Sequence, residues 1–373
     1  MRLLMLVSED WYFLSHRLPI ARAARDAGME VFICSRYRER LKEVEAEGFT
    51  PIPIELRRGS RNALMDLGVL WDLIRIYKKI KPDIAHHVAM KPSLYGTIAA
   101  RVAGTPVIIN AMAGLGHLFT SDKLIDRVSR FFVGKMFRLL FGSPRVKMLF
   151  QNQDDMDALS AQGAVSHANC VIIRGSGVDT TRFTPSDDTE KTKPPMVALV
   201  SRMLWTKGVG EFVAAARILA SSGVKARFVL VGDADNENPA AIPERTLKEW
   251  DREGVTQWWG RREDIPQILS QASVYVLPSY REGLPKSLLE AAAAGLPLVA
   301  FDAPGCREVV RDGVNGYLAP MKDVEALAAA MGRLLADAQL RRRMGAESRK
   351  IALAEFDEKI VVGKTLDLYR QAS

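Results

Sequence analysis

The chain has 373 residues, of which 48% are hydrophobic and 26% charged, and its formal net charge is +8. This composition excludes an intrinsically disordered chain, and the length favours two globular domains over one. Membrane-spanning helices, which need roughly 20 consecutive apolar residues, are also excluded, and the three widely separated cysteines are typical of a reducing cytoplasm.

Strand-length apolar runs alternate with helical patterns through the first half of the chain. The predicted strands are Leu3–Val7, Glu30–Cys34, Pro51–Ile54, Asp83–Val88, Pro106–Asn110, Val146–Gln151 and Cys170–Ile173. The helical patterns between them include Arg17–Gly28, Asn62–Ile80 and Pro92–Ala103. Near-continuous apolar strands separated by helices predict a parallel sheet that is covered on both faces.

A second alternating series follows a polar, proline-containing segment. Residues 175–195 lack periodicity and are interpreted as an interdomain linker. The strands predicted after it are Met196–Val200, Arg227–Val231, Val255–Trp258, Val274–Leu277, Pro297–Ala300 and Gly316–Leu318, with helices at Lys207–Ala220, Pro285–Gly295 and Val324–Ala336. The sequence therefore predicts two doubly wound domains, residues 1–180 and 181–355, which leave a cleft between them, and a last helix within 356–373 that packs back on the first.

Several common site signatures are missing. The first strand is followed by SEDWYFLSHR, without the G-x-G-x-x-G of dinucleotide-binding enzymes, and the later Gly114-Leu115-Gly116 is only a lone G-x-G. The chain also has no Walker loop, zinc-type spacing or G-x-S-x-G elbow. These absences argue against a dehydrogenase, a P-loop nucleotide hydrolase and an α/β-hydrolase.

The most informative segment is PSYREGLPKSLLEAAAAG at 278–295. A buried strand ends just before it, and a helix is expected to open at Pro285, where the missing amide of proline costs little. The amides of that first helical turn attract anions, and the helix dipole reinforces the attraction. Glu282 stands before the helix and Glu290 lies within it. Two carboxylates beside an anion site are suited to gripping hydroxyl groups on either side of a diphosphate.

Two cations follow the first strand of the same domain. Arg202 and Lys207 lie in VSRMLWTKGVGEF. Fixed cations stabilise the negative charge that develops on a departing nucleoside diphosphate. Arginine can grip two phosphate oxygens at once, whereas lysine acts as a compact point charge.

These residues together resemble the retaining family-four glycosyltransferases. Glu282 and Glu290 match the E-x7-E motif of that family, and Arg202 with Lys207 matches its donor-diphosphate pair. The likeness extends over nearly the whole chain. Within the family, the chain resembles the bacterial enzymes of surface-polysaccharide and glycan assembly that extend polyprenyl-diphosphate-linked sugars. The resemblance implies the GT-B fold, in which two Rossmann-like doubly wound domains face each other across a cleft.

The resemblance also implies a role for each matching residue. Arg202 and Lys207 would hold the donor diphosphate, Glu290 the ribose, and Arg261 would lie near the base. The transferred sugar would contact Glu282 and the backbone of Gly283, Leu284 and Pro285. Catalysis would depend on Glu282, Lys207 and Arg202, without a covalent nucleophile. Many members of the family place a histidine directly after the strand that here ends at Asn110, where this chain has Ala111-Met112; His117, five positions later, is the candidate for that catalytic role. The acceptor-side residues would be His16, Arg17, His87, Lys91, Asn110, Gly114 and Gly116.

No cofactor or metal is expected. Asp233 and Asp235 imitate a D-x-D metal motif, but they lie in a loop with Asn236 and Asn238, where turn formation is the commoner use of such residues. Cations already assigned to the diphosphate make a metal ion redundant.

The first half of the chain favours contact with an anionic surface. Residues 1–185 contain 26 Lys and Arg against 18 Asp and Glu, whereas the remainder contains 26 of each. Helical spacing over residues 122–142 gathers the basic side chains on one face, with Phe131, Phe137 and Phe141 at or within it, and turns Met136 and Leu139 towards the sheet. The predicted membrane-contacting residues are Arg127, Arg130, Phe131, Lys135, Phe137 and Arg138. An ordinary covering helix with buried phenylalanines is the alternative.

The sequence therefore predicts a retaining, metal-independent hexosyltransferase. It would move a hexose or N-acetylhexosamine from a UDP-sugar to a membrane-associated, polyprenyl-diphosphate-linked acceptor, at the inner face of the plasma membrane and without nucleic acid. A sugar-nucleotide epimerase of the same architecture is one alternative. A basic membrane- or nucleic-acid-binding module is another, but it leaves the donor-type residues of the second domain unexplained.

Overall fold

A computed structural model of the protein describes residues 1–57, 63–112, 114, 134–186, 193–235 and 238–372. The chain divides into two compact units. The first unit comprises Met1–Ser176 together with the residues from Lys359 onward, and the second comprises Gly177–Glu358. The sequence predicts domain boundaries after residues 180 and 355, which lie a few residues from the unit boundaries in the structure.

The first unit alternates strands and helices. Its strands are β1 (Arg2–Glu9), β2 (Glu30–Arg36), β3 (Thr50–Pro53), β4 (Ile84–Val88), β5 (Val107–Met112), β6 (Val146–Phe150) and β7 (Cys170–Ile172). Its helices are α1 (Asp10–His16), α2 (Leu18–Asp26), α3 (Leu41–Ala46), α4 (Ala63–Ile80), α5 (Met90–Ala103) and α6 (Gln153–Ala161), and residues 134–141 are also helical. All seven predicted strands are confirmed, with ends that differ by one or two residues.

These strands form one parallel sheet in the order β3-β2-β1-β4-β5-β6-β7. The direction of winding reverses between β1 and β4, which is the switch point of a doubly wound sheet. Connections wound in opposite directions from that point put helices on both faces, and this explains why the strands read as continuous apolar runs.

Helices cover the first sheet in two layers. One buried apolar cluster joins the sheet to α4, α5 and residues 134–141 through Leu73, Ala99 and Phe137. A second cluster, on the opposite face, joins it to α1 and α2 through Phe13 and Ile20. The layer made of α4, α5 and residues 134–141 is called the outer helical layer below.

The last helix, α13 (Glu358–Ala372), completes the second of these clusters. Val361, Leu368 and Tyr369 are buried in it, and the Tyr369 hydroxyl lies 2.5 Å from His86 Nδ1. The helix therefore packs on the unit that contains the beginning of the chain, as the sequence predicts.

The second unit repeats the pattern with a shorter sheet. Its strands are β8 (Met196–Val200), β9 (Arg227–Val231), β10 (Thr256–Trp258), β11 (Val274–Leu277), β12 (Leu298–Phe301) and β13 (Gly316–Ala319). Its helices are α7 (Val209–Ser221), α8 (Glu244–Arg252), α9 (Ile265–Gln271), α10 (Lys286–Ala293), α11 (Val324–Ala336) and α12 (Ala338–Ile351). The strand order is β10-β9-β8-β11-β12-β13, all parallel, and the winding reverses between β8 and β11.

The segment interpreted as a linker is instead part of the second unit over its described residues 177–186. Val178 and Phe183 are buried in the second-unit core, and the Thr180 hydroxyl donates to the carboxylate of Asp357. Gly177 has a positive φ, and a Cβ there would lie 2.5 Å from Glu358 Cα. The linker prediction is therefore wrong for these residues, because polarity alone does not distinguish a packed, hydrogen-bonded segment from a flexible one.

Candidate active site

The predicted donor residues lie at the carboxyl edge of the second sheet, where its parallel strands end. The loop after β8 carries Arg202 and Lys207, and the loop after β11 carries Glu282. Because β8 and β11 are neighbours at the switch point, the chain winds in opposite directions from them, and ligands of such sheets bind at the carboxyl ends of these strands.

Backbone hydrogen bonds tie neighbouring loops together along this edge. The amide of Gly232 donates to Gly260, Met203 to Asp233, Tyr280 to Thr206 and Glu282 to Pro304, over 2.8 to 3.0 Å. Each bond joins the loops that follow two adjacent strands. Together the four bonds link, in series, the loops after β10, β9, β8, β11 and β12. The site is therefore built on one continuous backbone frame rather than on independent loops.

Two glycines allow the loops to approach this closely. A Cβ on Gly208 would lie 1.9 Å from the Pro278 carbonyl oxygen, and one on Gly305 would lie 2.6 Å from the Glu282 carbonyl oxygen. Both glycines have φ above +70°, a region that glycine alone enters without strain. The Gly305 contact therefore fixes the backbone that carries Glu282.

Replacing Gly208 with Ala is expected to lower the free energy of unfolding by about 3 kcal/mol, through backbone strain and the clash with Pro278. Gly223→Ala is the matched control, because Gly223 also has a positive φ but nothing lies within 4 Å of a Cβ there. It should cost about 1 kcal/mol. Urea denaturation measures both, and equal losses for the two variants would contradict the close packing of these loops.

Lys207 and Glu282 meet directly. Lys207 Nζ forms an ion pair and hydrogen bond with Glu282 Oε1, and both side chains are largely buried. The contact brings together one residue from each side of the switch point. A cation held in a partly desolvated crevice is well suited to stabilising negative charge on a leaving group.

Glu290 lies in α10, the helix that follows the loop of Glu282. Its side chain is 16% exposed, and Lys286 Nζ stands 3.9 Å from Glu290 Oε1. Burial raises the pKa of Glu290, and the charges of Lys286 and Arg182 oppose that rise. A desolvated carboxylate binds a ligand hydroxyl more strongly than a solvated one does, because fewer water contacts must be replaced.

The helix that carries Glu290 starts one residue later than predicted. Pro285 is the N-cap residue, α10 begins at Lys286, and no side chain caps it. Proline there has no amide to satisfy, whereas the amide of Ser287 has no partner within the helix. The N-terminus of α10 therefore keeps the capacity to bind an anion that the sequence suggests.

Tyr275 is a supporting residue that sequence reasoning missed. Its hydroxyl donates to the Val200 carbonyl at the end of β8 over 3.0 Å. Burial raises its pKa, a hydrogen bond with Ser287 opposes the rise, and the nearby charges of Glu290 and Glu282 add to it. Tyr275, on β11, thus contacts β8 across the switch point. The sequence signal for this supporting role is a single tyrosine in the otherwise aliphatic strand VYVL.

Arg202 pairs with a residue of the imitation metal motif. Arg202 Nη1 lies 2.5 Å from Asp235 Oδ2, and the Asp233 carbonyl accepts from Met203. Asp235 therefore serves as a partner for Arg202, a role that the sequence does not reveal. Across the described part of the chain, no group of three or more His, Cys, Asp or Glu residues could hold a metal ion.

Arg261 follows β10, further along the carboxyl edge. Its side chain is exposed and stands 4.0 Å from Glu263, while Arg262 pairs with Asp264 over 2.7 Å. The strand order places the loop of Arg261 on the β9 side and the loop of Glu282 on the β11 side of the cations. Along the sheet edge the loops therefore lie in the order Arg261, the two cations and Glu282.

His87 and Asn110, both predicted to contact the acceptor, are fully buried in the first unit. His87 Nδ1 lies 2.7 Å from Asn110 Oδ1, and His87 Nε2 lies 2.8 Å from the Tyr77 hydroxyl. Burial lowers the pKa of His87 to about 4, so the ring is neutral. The prediction of acceptor contact is wrong for this pair, because the polar groups of these neighbouring strands satisfy each other beneath the outer helical layer.

The remaining acceptor-side residues differ in their surroundings. His16 is the last residue of α1, and it stacks on Tyr12. Arg17, between α1 and α2, is buried, which leaves it no accessible surface for an acceptor; its Nε and Nη2 atoms have no hydrogen-bond partner among the described residues. Lys91 Nζ binds Asp66 over 2.7 Å, and Gly114 has a φ of 109°. The predictions for His16, Lys91 and Gly114 stay predictions.

The structure also corrects the predicted membrane helix. Gly116, His117, Arg127, Arg130 and Phe131 lie outside the described residues. Phe137 and Phe141 are buried, whereas Met136 and Leu139 are exposed. The prediction of membrane contact is therefore wrong for Phe137, and helical periodicity misassigned the buried face because the phenylalanines fill the space above the sheet. Lys135 and Arg138 are exposed, as expected.

Comparison with protein families identifies both halves of the chain. The model described as "Glycosyl transferase 4-like" matches residues 2–145. The model described as "Glycosyl transferases group 1" matches residues 194–337, a span that includes the four donor-type residues. The first span contains β1 to β5 and the second contains β8 to β13, and both models describe transferases.

Individual relatives cover nearly the same length. The chain is 31% identical to the N,N'-diacetylbacillosaminyl-diphospho-undecaprenol alpha-1,3-N-acetylgalactosaminyltransferase of Campylobacter jejuni, covering 96% of this chain and 97% of that protein. It is 27% identical to the UDP-Gal:alpha-D-GlcNAc-diphosphoundecaprenol alpha-1,3-galactosyltransferase of Escherichia coli, over 82% and 80% of the two chains. The crystal structure of Anabaena HepE with UDP and glucose superposes with a TM-score of 0.78 at 19% identity, over 99% of each chain. The fold is therefore GT-B.

Proposed function

We propose a specific reaction for this chain, which belongs to the glycosyltransferase family described by the group 1 and type 4-like models. The chain is a glycosyltransferase. Its donor is a UDP-sugar, its acceptor is a sugar carried on a polyprenyl diphosphate, and the transferred group is a hexose or N-acetylhexosamine. The acceptor follows from the two relatives, whose names both specify undecaprenyl-diphosphate-linked sugars.

The observation that carries the donor assignment is the contact of Lys207 with Glu282 beside the uncapped N-terminus of α10. In the proposed complex the diphosphate lies between this helix end and the cations Arg202 and Lys207. Glu282 turns from its lysine partner to hydroxyls of the sugar, and Glu290 accepts from the ribose. Charge that develops on the departing phosphate is then balanced by groups already in position.

Transfer proceeds with retention and without a metal ion in this proposal. Lys207 and the α10 amides supply the positive potential that a divalent cation would otherwise supply. Glu282 is paired with Lys207, which suits it for sugar binding and charge stabilisation more than for nucleophilic attack. The departing phosphate assists in removing the proton of the acceptor hydroxyl, on the same face of the sugar.

The enzyme works as a peripheral protein on the inner face of the plasma membrane, where a polyprenyl-linked acceptor is available. Within the described residues, no helix has the length and apolar character required to cross a bilayer. The sugar portion of the acceptor must therefore be reached from the membrane surface. Exposed basic residues of the first unit, including Lys135 and Arg138, supply attraction to anionic lipid.

A nucleotide-sugar panel tests this proposal. Thermal unfolding is measured with UDP-, GDP-, ADP- and CMP-sugars, with and without EDTA, and one UDP-sugar is expected to raise Tm equally in both conditions. The selected donor is then incubated with polyprenyl-diphosphate-linked sugars, and NMR reads the anomeric configuration of the product. Loss of stabilisation in EDTA would contradict metal independence, an inverted product would contradict retention, and conversion of the donor without acceptor would indicate an epimerase.

A further inference from the structure

An arginine is buried in the apolar cluster that joins α1, α2 and α13 to the first sheet. Arg17, between α1 and α2, is 1% exposed. Phe13 and Ile20, four residues before it and three residues after it, are both buried in this cluster. Residues at these spacings share one face of a helix, and the Arg17 amide donates to the Phe13 carbonyl over 2.8 Å, as in a helical turn. The Arg17 side chain is therefore directed into the cluster, towards the sheet.

No acidic side chain of the described residues forms an ion pair with Arg17. The Nε and Nη2 atoms of its guanidinium are buried and have no hydrogen-bond partner among those residues. Arginine stays charged in proteins, and a buried charge without a counter-charge strongly destabilises the folded state. The fold therefore requires an acceptor with negative charge beside Arg17.

His86 supplies a third buried donor to the same cluster. It alternates along β4 with Ile84 and Val88, which belong to the cluster, and it is fully buried. Burial raises the pKa of Tyr369, so the Tyr369 hydroxyl keeps its proton and donates it to His86 Nδ1 over 2.5 Å. Burial, and then the charge of Arg17, lower the pKa of His86, so the ring is neutral and carries its one proton on Nε2. Among the described residues, Nε2 has no hydrogen-bond partner.

The unpartnered atoms of Arg17 and His86 all belong to donors. The positive charge of Arg17 lowers the pKa of both His86 and Tyr369, which agrees with a guanidinium close to this pair. A water molecule has only two lone pairs and no net charge, so it can neither satisfy three donors nor balance the arginine. A monovalent anion does both, whereas a divalent phosphate or sulfate would leave excess negative charge buried.

We propose that a halide ion, chloride under physiological conditions, binds between Arg17 and His86 inside the first unit. The ion accepts hydrogen bonds from Arg17 Nε, Arg17 Nη2 and His86 Nε2, and it balances the guanidinium charge. Because His86 also bonds to Tyr369, the ion links the α1–α2 junction, β4 and α13. It stabilises the first unit and takes no part in the proposed transfer reaction.

Thermal unfolding at constant ionic strength tests the site in the unmodified protein. After exhaustive dialysis against sodium gluconate, whose anion is too bulky for a buried site, increasing shares of gluconate are replaced by chloride or bromide. Either halide should raise Tm by about 5 °C or more, along a curve that saturates. Equal Tm values in chloride and gluconate would overturn the proposal and assign the three donors to water.

Replacing Arg17 with Met removes the charge and keeps a side chain of similar width. The Tm of Arg17→Met should not respond to halide, and in gluconate it should equal or exceed that of the unmodified protein, because the uncompensated buried charge is gone. Arg145→Met is the matched control, since Arg145 is an exposed arginine of the same unit, and it should keep the full halide response. A halide response that survives in Arg17→Met would reject this site.

Crystals of the unmodified protein soaked in sodium bromide give a direct readout that needs no variant. An anomalous-scattering peak is expected between Arg17 Nε, Arg17 Nη2 and His86 Nε2, and a map without a peak there would overturn the proposal. None of these measurements uses a nucleotide sugar. Failure of the halide site therefore leaves the proposed reaction intact, and a protein that transfers no sugar would still show the site.

Discussion

Replacing Lys207 with Ala is expected to lower kcat about 100- to 1000-fold, the loss typical when one preorganised charge-stabilising group is removed. Lys207 is held against Glu282 at the carboxyl edge of the second sheet. Its charge matters most as the bond between sugar and phosphate breaks, so KM for the donor should change by less than about tenfold. Initial rates over a range of donor concentrations separate the two parameters.

The control for this variant is Lys225→Ala, which removes an exposed lysine of the same unit and should leave both parameters within about twofold. The Lys207 variant leaves Glu282 without its lysine, so thermal unfolding must verify that the protein remains folded. A large rise in KM with an unchanged kcat would contradict a role for Lys207 in the transition state.

Replacing Glu290 with Ala is expected to weaken UDP binding about 10- to 100-fold, the range for losing a hydrogen bond to a charged, buried partner. Glu290 is largely buried in α10, so a ribose hydroxyl bound to it is shielded from water. Isothermal titration calorimetry with UDP measures the loss directly. An unchanged Kd together with a lower kcat would reverse the roles given to Glu290 and Lys207.

A second substitution of Glu290, Glu290→Gln, is expected to raise the stability of the folded protein. Because burial raises the pKa of Glu290, the folded state retains the proton to higher pH than the unfolded chain does. Ionisation therefore costs stability as pH rises from the ordinary glutamate range through the raised value. Glu290→Gln removes this cost, so its Tm should exceed that of the unmodified protein at neutral pH, and the difference should disappear below about pH 4. Glu325→Gln, at an exposed position in the first turn of α11, should show no such gain.

The sequence predicts most of the fold because its strands are buried on both faces. All thirteen described strands coincide with apolar runs, and parallel pairing follows from the helices between them. The proximity of Glu282 and Lys207 was also predictable, since they follow neighbouring strands and short loops hold them near the ends of those strands. The structure adds their direct contact and the bonds between neighbouring loops.

Other features depend on contacts that no local pattern contains. Periodicity over residues 134–141 identifies a helix, but the depth of the space above the sheet determines that Phe137 is buried and Leu139 exposed. His87 and Asn110 lie near the ends of the predicted strands, as cleft residues would, yet His87 bonds to Asn110 on the neighbouring strand, 23 residues away, and to Tyr77 on α4, 10 residues away. The sequence around Asp235 is typical of a turn. It does not reveal that Asp235 pairs with Arg202, because Arg202 lies in a different loop, the one after β8.

The position of α13 has a consequence for how the protein is made. The ribosome releases the second unit as a contiguous stretch, Gly177–Glu358, before the residues that close the first unit's core have been synthesised. Until Val361, Leu368 and Tyr369 emerge, only α1 and α2 cover that face of the first sheet, and His86 lacks its partner Tyr369. The first unit is therefore expected to finish folding after the second, and a nascent chain arrested before α13 should be more susceptible to proteolysis in the first unit than in the second.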